Sequence, residues 1–301
     1  MRETGTQQVE ASVRLPDRRV PGTVAGLVRA CHPEPTAVVT ALVTALAAAS
    51  GLGPAGCLPV AGAVLTGQLS VGWCNDRVDH GRDVAAGRTD KPLVDGVLRP
   101  HVLTRAAGTA LALCVPLSLA VGPLAGLAHL TGVGAAWAYN LALKRTLLSW
   151  LPYAVGFGLL PAFVALGLPG RPWPPGWAVL GGALLGVGAH LTNVLPDIEA
   201  DLAAGVRGLP QRLGGGPTRV LAALALGAAA MVLTVGPPGP PGAAGWAALG
   251  VTGLMAPLAV LPVPGRARSR VPFLATLVLA ATAAAALLSR GVGLGPGPGS
   301  G

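Results

Sequence analysis

The chain has 301 residues, of which 52% are hydrophobic and only 11% charged. A water-soluble domain carries roughly a quarter charged residues, so this composition excludes an ordinary soluble globular domain. The net charge of +9 does not point to nucleic acid, because the cations lie between long apolar runs and form no basic stripe.

Residues 1–35 are polar and read as a cytoplasmic N-terminal tail, without the apolar stretch and cleavage site of a signal peptide. Beyond them come apolar runs near the length that crosses a bilayer core: 36–54, 56–74, 102–121, 123–142, 147–168, 177–196, 218–236, 243–263 and 271–289. These predict an all-α integral membrane protein, a bundle of nine transmembrane helices around a central cavity. Residues 36–290 form its membrane domain, and 291–301 a Gly/Pro-rich extracytoplasmic tail. The 45 glycines and 29 prolines suit membrane helices, where backbones pack closely. The four cysteines form no CxxC pair and read as small buried hydrophobes.

Orientation follows from the cations, which collect in cytoplasmic loops. With nine spans and a cytoplasmic N-terminus, 19 of the 21 lysines and arginines fall on one side, and only Arg171 and Arg290 on the other. The expected location is the cell membrane, multi-pass.

The 12 acids are still more selectively placed. Beyond residue 35 they occur only as Asp76, Asp79, Asp83, Asp90 and Asp95 after the second span, and as Asp197, Glu199 and Asp201 after the sixth. Carboxylates so restricted in a membrane protein indicate a functional site. The two segments match: Asn75-x3-Asp79-x3-Asp83-Val-Ala-Ala-Gly87 and Asn193-x3-Asp197-x3-Asp201-Leu-Ala-Ala-Gly205, offset by 118 residues. They read as two related halves facing a shared site. Residues at i, i+4 and i+8 share a helical face, so each copy predicts a stripe of oxygen ligands. Hard oxygen donors suit Mg²⁺, which joins carboxylates to substrate phosphates. Arg77, Arg82, Arg88, Lys91 and Arg207 flank the stripes and could grip phosphate oxygens. Asp83 and Asp201 could instead pair with neighbouring arginines, a reading that two matched stripes disfavour. Asp90, Asp95 and Glu199 break the repeat and read as loop acids.

These residues resemble the UbiA superfamily of intramembrane prenyltransferases. That family has an NDxxDxxxD motif after its second helix, here Asn75-Asp76-Arg77-Val78-Asp79-His80-Gly81-Arg82-Asp83. It has a DxxxD motif after its sixth, here Asp197-Ile198-Glu199-Ala200-Asp201. A Tyr followed by Lys-Arg near the end of helix four matches Tyr139…Lys144-Arg145, and Arg88–Leu93 resembles the loop after the first motif.

The resemblance implies a transferase that moves a prenyl group from a prenyl diphosphate, through an allylic carbocation, to a small acceptor, aromatic or a quinone precursor. It implies Mg²⁺ on Asp76, Asp79, Asp83, Asp197 and Asp201, with Asp76, Asp79, Asp197, Asp201 and Tyr139 catalytic. It implies diphosphate contacts from Asn75, Arg88, Lys144, Arg145, Asn193 and Arg207. A membrane terpene cyclase would use the same motifs. A transporter would place its site near the bilayer midplane, whereas these acids all sit at one face, expected to be cytoplasmic.

Other residues read less sharply. Tyr139 is either a cation-orienting group or an interfacial aromatic, and Asn140 a polar helix residue. Asn193 either serves the site or helps helices pack. His32, His101, His129 and His190 form no cluster in sequence, and His80 points away from the Asp79 face. Arg29 reads as a membrane-surface anchor.

Overall fold

The computed structural model describes residues 22–260 and 271–289, and Leu294. The expected tail cations Arg2, Arg14, Arg18 and Arg19, the loop cations Arg266, Arg268 and Arg270, Arg290 and nearly all of the 291–301 tail lie outside the described residues. Among the described residues there are helices and no strand.

The elements in chain order are α1 (Thr23–Ala30), α2 (Pro33–Ala49), α3 (Pro54–Ala85), α4 (Pro100–Val121), α5 (Pro123–Leu141), α6 (Leu151–Ala165), α7 (Gly176–Val194), α8 (Ile198–Ala203), α9 (Leu209–Leu213), α10 (Gly215–Val235), α11 (Gly242–Val260) and α12 (Val271–Ser289). Two 3₁₀ turns, Leu143–Arg145 and Leu195–Asp197, carry site residues. Among the described residues, the nine helices of 15 residues or more lie where the nine apolar runs predict helix. Among the described residues, four stretches are by length and composition apolar and long enough to cross a membrane: Pro54–Ala85, Pro100–Val121, Gly176–Ala203 (α7 through α8) and Gly215–Val235.

Three local differences from the sequence reading bear on the site. First, residues 22–35 are not merely a tail. α1 packs on α3, held by a hydrogen bond of 2.9 Å from Trp73 Nε1 to the Leu27 carbonyl. Second, α3 does not stop at residue 74 but runs for 32 residues. At 1.5 Å per residue that is about 48 Å, about 18 Å beyond a 30 Å hydrocarbon core, and the first aspartate motif occupies this extension. Third, the helix carrying the second motif breaks at Leu195–Asp197, where Pro196 lacks an N–H and its ring crowds the preceding turn.

α3 packs chiefly on α4, and also on α2 and α5, while α7 packs between α6 and α10. The largest core cluster joins Val39, Val43 and Ala47 of α2 to Val60, Ala63 and Val64 of α3 and to Phe163 and Val164 of α6. Gly182 and Gly186 let the backbones of α6 and α7 nearly touch. A Cβ on Gly182 would sit 2.6 Å from the Phe157 carbonyl oxygen, and one on Gly186 would collide with that of Tyr153. The outward faces carry Leu113, Leu119, Leu127, Leu221, Leu224 and Met231, an apolar surface suited to lipid.

Candidate active site

The two aspartate motifs share a backbone device. In the first, Gly87 N–H bonds the Val84 carbonyl (3.1 Å) and Arg88 N–H the Asp83 carbonyl (2.9 Å). In the second, Gly205 N–H bonds Leu202 (3.1 Å) and Val206 N–H bonds Asp201 (2.8 Å). Each is a Schellman helix end, with Gly87 at φ 64° and Gly205 at φ 76°. The shared Asp-x-Ala-Ala-Gly is therefore a helix stop that sets its aspartate one turn before the end.

The side chains are disposed less symmetrically. α3 is unbroken through the first motif, so Asp76 (3% exposed), Asp79 (7%) and Asp83 (7%) share one buried face. The break at Pro196 removes the continuous stripe expected of Asn193, Asp197 and Asp201. Asp197 lies in the 3₁₀ turn with its side chain 38% exposed, Asp201 in α8 at 14%, and the Asn193 side chain reaches the Tyr153 hydroxyl.

Each inward carboxylate is met by a cation. Lys91 Nζ lies 2.6 Å from Asp76 Oδ1, and His32 Nε2 lies 3.2 Å from the same oxygen. Lys144 Nζ donates to Asp79 Oδ1. Arg82 donates to Asp79 Oδ2 at 2.5 Å and, through its other nitrogen, to Asp201 Oδ1 at 3.1 Å. Gln211 Nε2 holds the remaining Asp201 oxygen at 2.8 Å. Arg88 faces Asp197 at 3.8 Å and binds Asp90 at 3.0 Å. Asp83 is buried on the same face, with Lys91 and Arg88 the cations that act on it. Burial pulls the Lys144 ammonium below the usual lysine range, partly offset by Asp79. In the loop, the hydrogen bond from Arg88 holds the Asp90 carboxyl below the usual carboxylate range.

Asn75 belongs to this network. Its amide nitrogen donates to Asp79 Oδ2 (3.3 Å) and Asn140 Oδ1 (3.1 Å), while Asn140 Nδ2 donates to the Val71 carbonyl (3.0 Å). Both Asn75 donors are thus engaged, leaving its carbonyl oxygen as the ligand-capable atom. Asn140 is accordingly a support of the site and not just a polar helix residue.

Other expected residues stand apart. Arg145 and Arg207 are exposed, and neither side chain bonds to the cluster. Arg77 is turned away and, with His101 and Arg105, lines a cleft of about 520 Å³. Arg29 ties the loop down through Asp95 (3.1 Å) and the Asp90 carbonyl (2.8 Å). Tyr139 faces inward, edge-on to Tyr153 at 5.2 Å. Sequence reasoning passed over His32, Gln211 and Tyr153. His32 had one signal, its place before a proline that starts a helix. There it takes the left-handed conformation, φ 56°.

Among the described residues, no three His, Cys, Asp or Glu side chains converge on one metal-sized point. The donors nonetheless fit a hard divalent cation. Three carboxylates lie within two turns on one buried face, and an amide oxygen stands beside them. Four cations already tuned to carboxylate oxygens could transfer to phosphate oxygens.

The UbiA prenyltransferase family model matches residues 37–277. No curated protein matches the chain. Among solved structures, a UbiA homolog from Archaeoglobus fulgidus bound to GPP and Mg²⁺ superposes with a TM-score of 0.68 at 15% identity, covering 88% of this chain and 98% of that one. The apo form of a UbiA homolog from Aeropyrum pernix K1 gives 0.68 at 19% identity, with 85% and 96% coverage. A digeranylgeranylglyceryl phosphate synthase gives 0.61 at 16%, with 90% and 99% coverage.

Proposed function

The chain belongs to the UbiA prenyltransferase family and is a membrane protein, and from that premise we propose that it transfers a prenyl group from a prenyl diphosphate to a small acceptor, aromatic or a quinone precursor, with Mg²⁺. The observation that carries this reading is the Arg82 bridge from Asp79 to Asp201, which makes one site of two motifs 118 residues apart in the repeat. Related proteins bound to GPP or DMAPP with Mg²⁺ support the donor class.

Asp76, Asp79, Asp83, Asp201 and the Asn75 carbonyl would hold the metal, with Asp197 at the rim. Bound Mg²⁺ would neutralise charge on the diphosphate and so make it a better leaving group. The chain does the rest by position. Lys144, Arg82 and Lys91 exchange carboxylate for phosphate oxygens as the donor enters. Arg88 follows from the loop side, and the exposed Arg145 and Arg207 serve as outer guides. The C–O bond breaks with its electron pair leaving on the diphosphate. Charge develops on oxygens that these fixed cations already face, so little reorganisation is required at the moment of reaction. The faces of Tyr139 and Tyr153 stabilise the allylic cation, with Asn193 holding Tyr153. The acceptor then attacks the cation and releases a proton.

The nine long helices cross the cell membrane with the N-terminus inside, which puts the site at the cytoplasmic face. The one-sided distribution of lysine and arginine supports this orientation. The test is labelled geranyl diphosphate with Mg²⁺ and membranes containing the protein, read as released diphosphate and as labelled lipid product. Turnover above control membranes is expected. Absence of turnover, or turnover unchanged by Asp79→Ala, would sink the reading.

A further inference from the structure

Near Tyr139 and Tyr153 lies a buried cluster that none of these roles uses. His190 sits on α7 two turns before Asp197 and is 1% exposed. Its Nε2 lies 3.2 Å from Ser149 Oγ, and that oxygen also accepts the Leu209 backbone N–H at 3.2 Å. Ser149 is fully buried, and the imidazole tautomer decides which of the two partners donates in this hydrogen bond. The ring lies 4.9 Å from that of Tyr153 and edge-on to Tyr139 at 5.6 Å. Nδ1 is buried without a hydrogen-bond partner. Such a group is costly and uncommon in native interiors, which marks the ring as retained for its position more than for stability.

The far side of Ser149 leads to the aspartates. Gly208 packs so closely there that a Cβ would lie 2.6 Å from the Lys144 carbonyl oxygen, 2.7 Å from Gln211 Oε1 and 3.1 Å from Ser149 Oγ. Lys144 and Gln211 are the side chains that hold Asp79 and Asp201. Ser149 thus stands where the turn bearing one grip meets the short helix α9 bearing the other. His190 connects that junction to the aromatic wall.

We propose that His190 is a positioning residue that couples the diphosphate grip to the aromatic wall through Ser149, an inference that rests on the prenyl-transfer reading. With 1% of its surface exposed it does not reach substrate; it acts through Tyr139, Tyr153 and Ser149. When the C–O bond breaks, the cation forms beside the tyrosine faces while the leaving diphosphate stays with Lys144. His190 fixes the spacing between those two places. Misplacing one against the other slows ionisation without weakening donor binding.

The test measures diphosphate release from geranyl diphosphate with Mg²⁺, by the whole protein in membranes, for wild type, His190→Phe, Ser149→Ala and the double variant. Phe keeps an aromatic ring and loses the bond to Ser149. Each single change should lower kcat by about tenfold, with KM within about threefold, because misorientation acts on the barrier and not on uniform binding. The double variant should be no worse than either single one, since both cut the same link. His190→Gln, whose amide can still hydrogen-bond to Ser149 as donor or acceptor, should recover part of the loss. Binding of geranyl thiolodiphosphate with Mg²⁺ verifies that each variant retains a folded site. Wild-type kcat in both single variants, losses that multiply in the double variant, or KM rising in step with the fall in kcat would overturn the coupling. Failure of the wild type itself to release diphosphate would instead overturn the prenyl-transfer reading.

Discussion

The two copies of the aspartate repeat are alike in backbone and unlike in chemistry. Both end in the same glycine-terminated stop, with the last aspartate three residues inside the helix. The first copy lies on an unbroken helix and buries three aspartates on one face. The second is broken by Pro196, leaves Asp197 partly in solvent and sends Asn193 toward Tyr153. A repeated sequence thus fixed where two helices end, and one proline decided how many carboxylates each end delivers. The first half holds most of the ligand-capable groups, and the second contributes Asp201, reached through Arg82.

This asymmetry can be broken most severely at its centre. Asp79 accepts from Lys144, Arg82 and Asn75, so Asp79→Ala removes a proposed ligand and leaves three donors unanswered. Diphosphate release should fall by about 10³-fold, at the upper end for loss of one preorganised electrostatic group. EDTA should abolish release and added Mg²⁺ restore it; release that persists in EDTA would remove the metal from the account.

Arg82→Gln cuts the bridge between the copies and keeps the carboxylates. Activity should drop by about 10–100-fold, as for other groups that orient ligands, with Gln211→Ala a milder version on the Asp201 side. If Arg82→Gln were neutral, the two motifs would be working as separate sites. Asp197→Asn should cost less than tenfold, because its carboxylate is the most exposed of the five. A loss from Asp197→Asn equal to that from Asp79→Ala would restore the symmetric picture drawn from the sequence.

The limits of the sequence reading follow from the same contrast. Apolar runs located the long helices among the described residues, because a bilayer imposes a characteristic length on apolar segments. The Asn75–Asp83 stripe was readable because a continuous helix turns spacing into a face. That argument fails in the second copy, where Pro196 was visible in the sequence and should have ended the stripe. Gln211, Ser149 and His190 carried no local pattern, and His32 only its place before the helix-starting Pro33. Gln211 meets Asp201 only because a Schellman turn and α9 bring it back, and His32 meets Asp76 across 44 residues of chain. Arg145 and Arg207 show the reverse, since proximity in sequence to a motif did not turn either side chain into it.

The smallest effects test the half of the comparison that is symmetric. Gly87 and Gly205 occupy the same left-handed position of the same helix stop, and a Cβ at either would meet nothing within 4 Å. The cost of alanine at each is therefore the backbone conformation alone, about 1 kcal/mol. Thermal unfolding of the detergent-solubilised protein should show Gly87→Ala and Gly205→Ala lowering the midpoint by similar amounts. Their activities should part company, because a shifted stop after α3 disturbs three buried aspartates, whereas one after α8 disturbs only Asp201 and Gln211 of α9. Equal stability loss with a larger activity loss for Gly87→Ala is the expected pattern. Equal losses in both would mean that the second copy contributes as much to the site as the first, despite its broken helix.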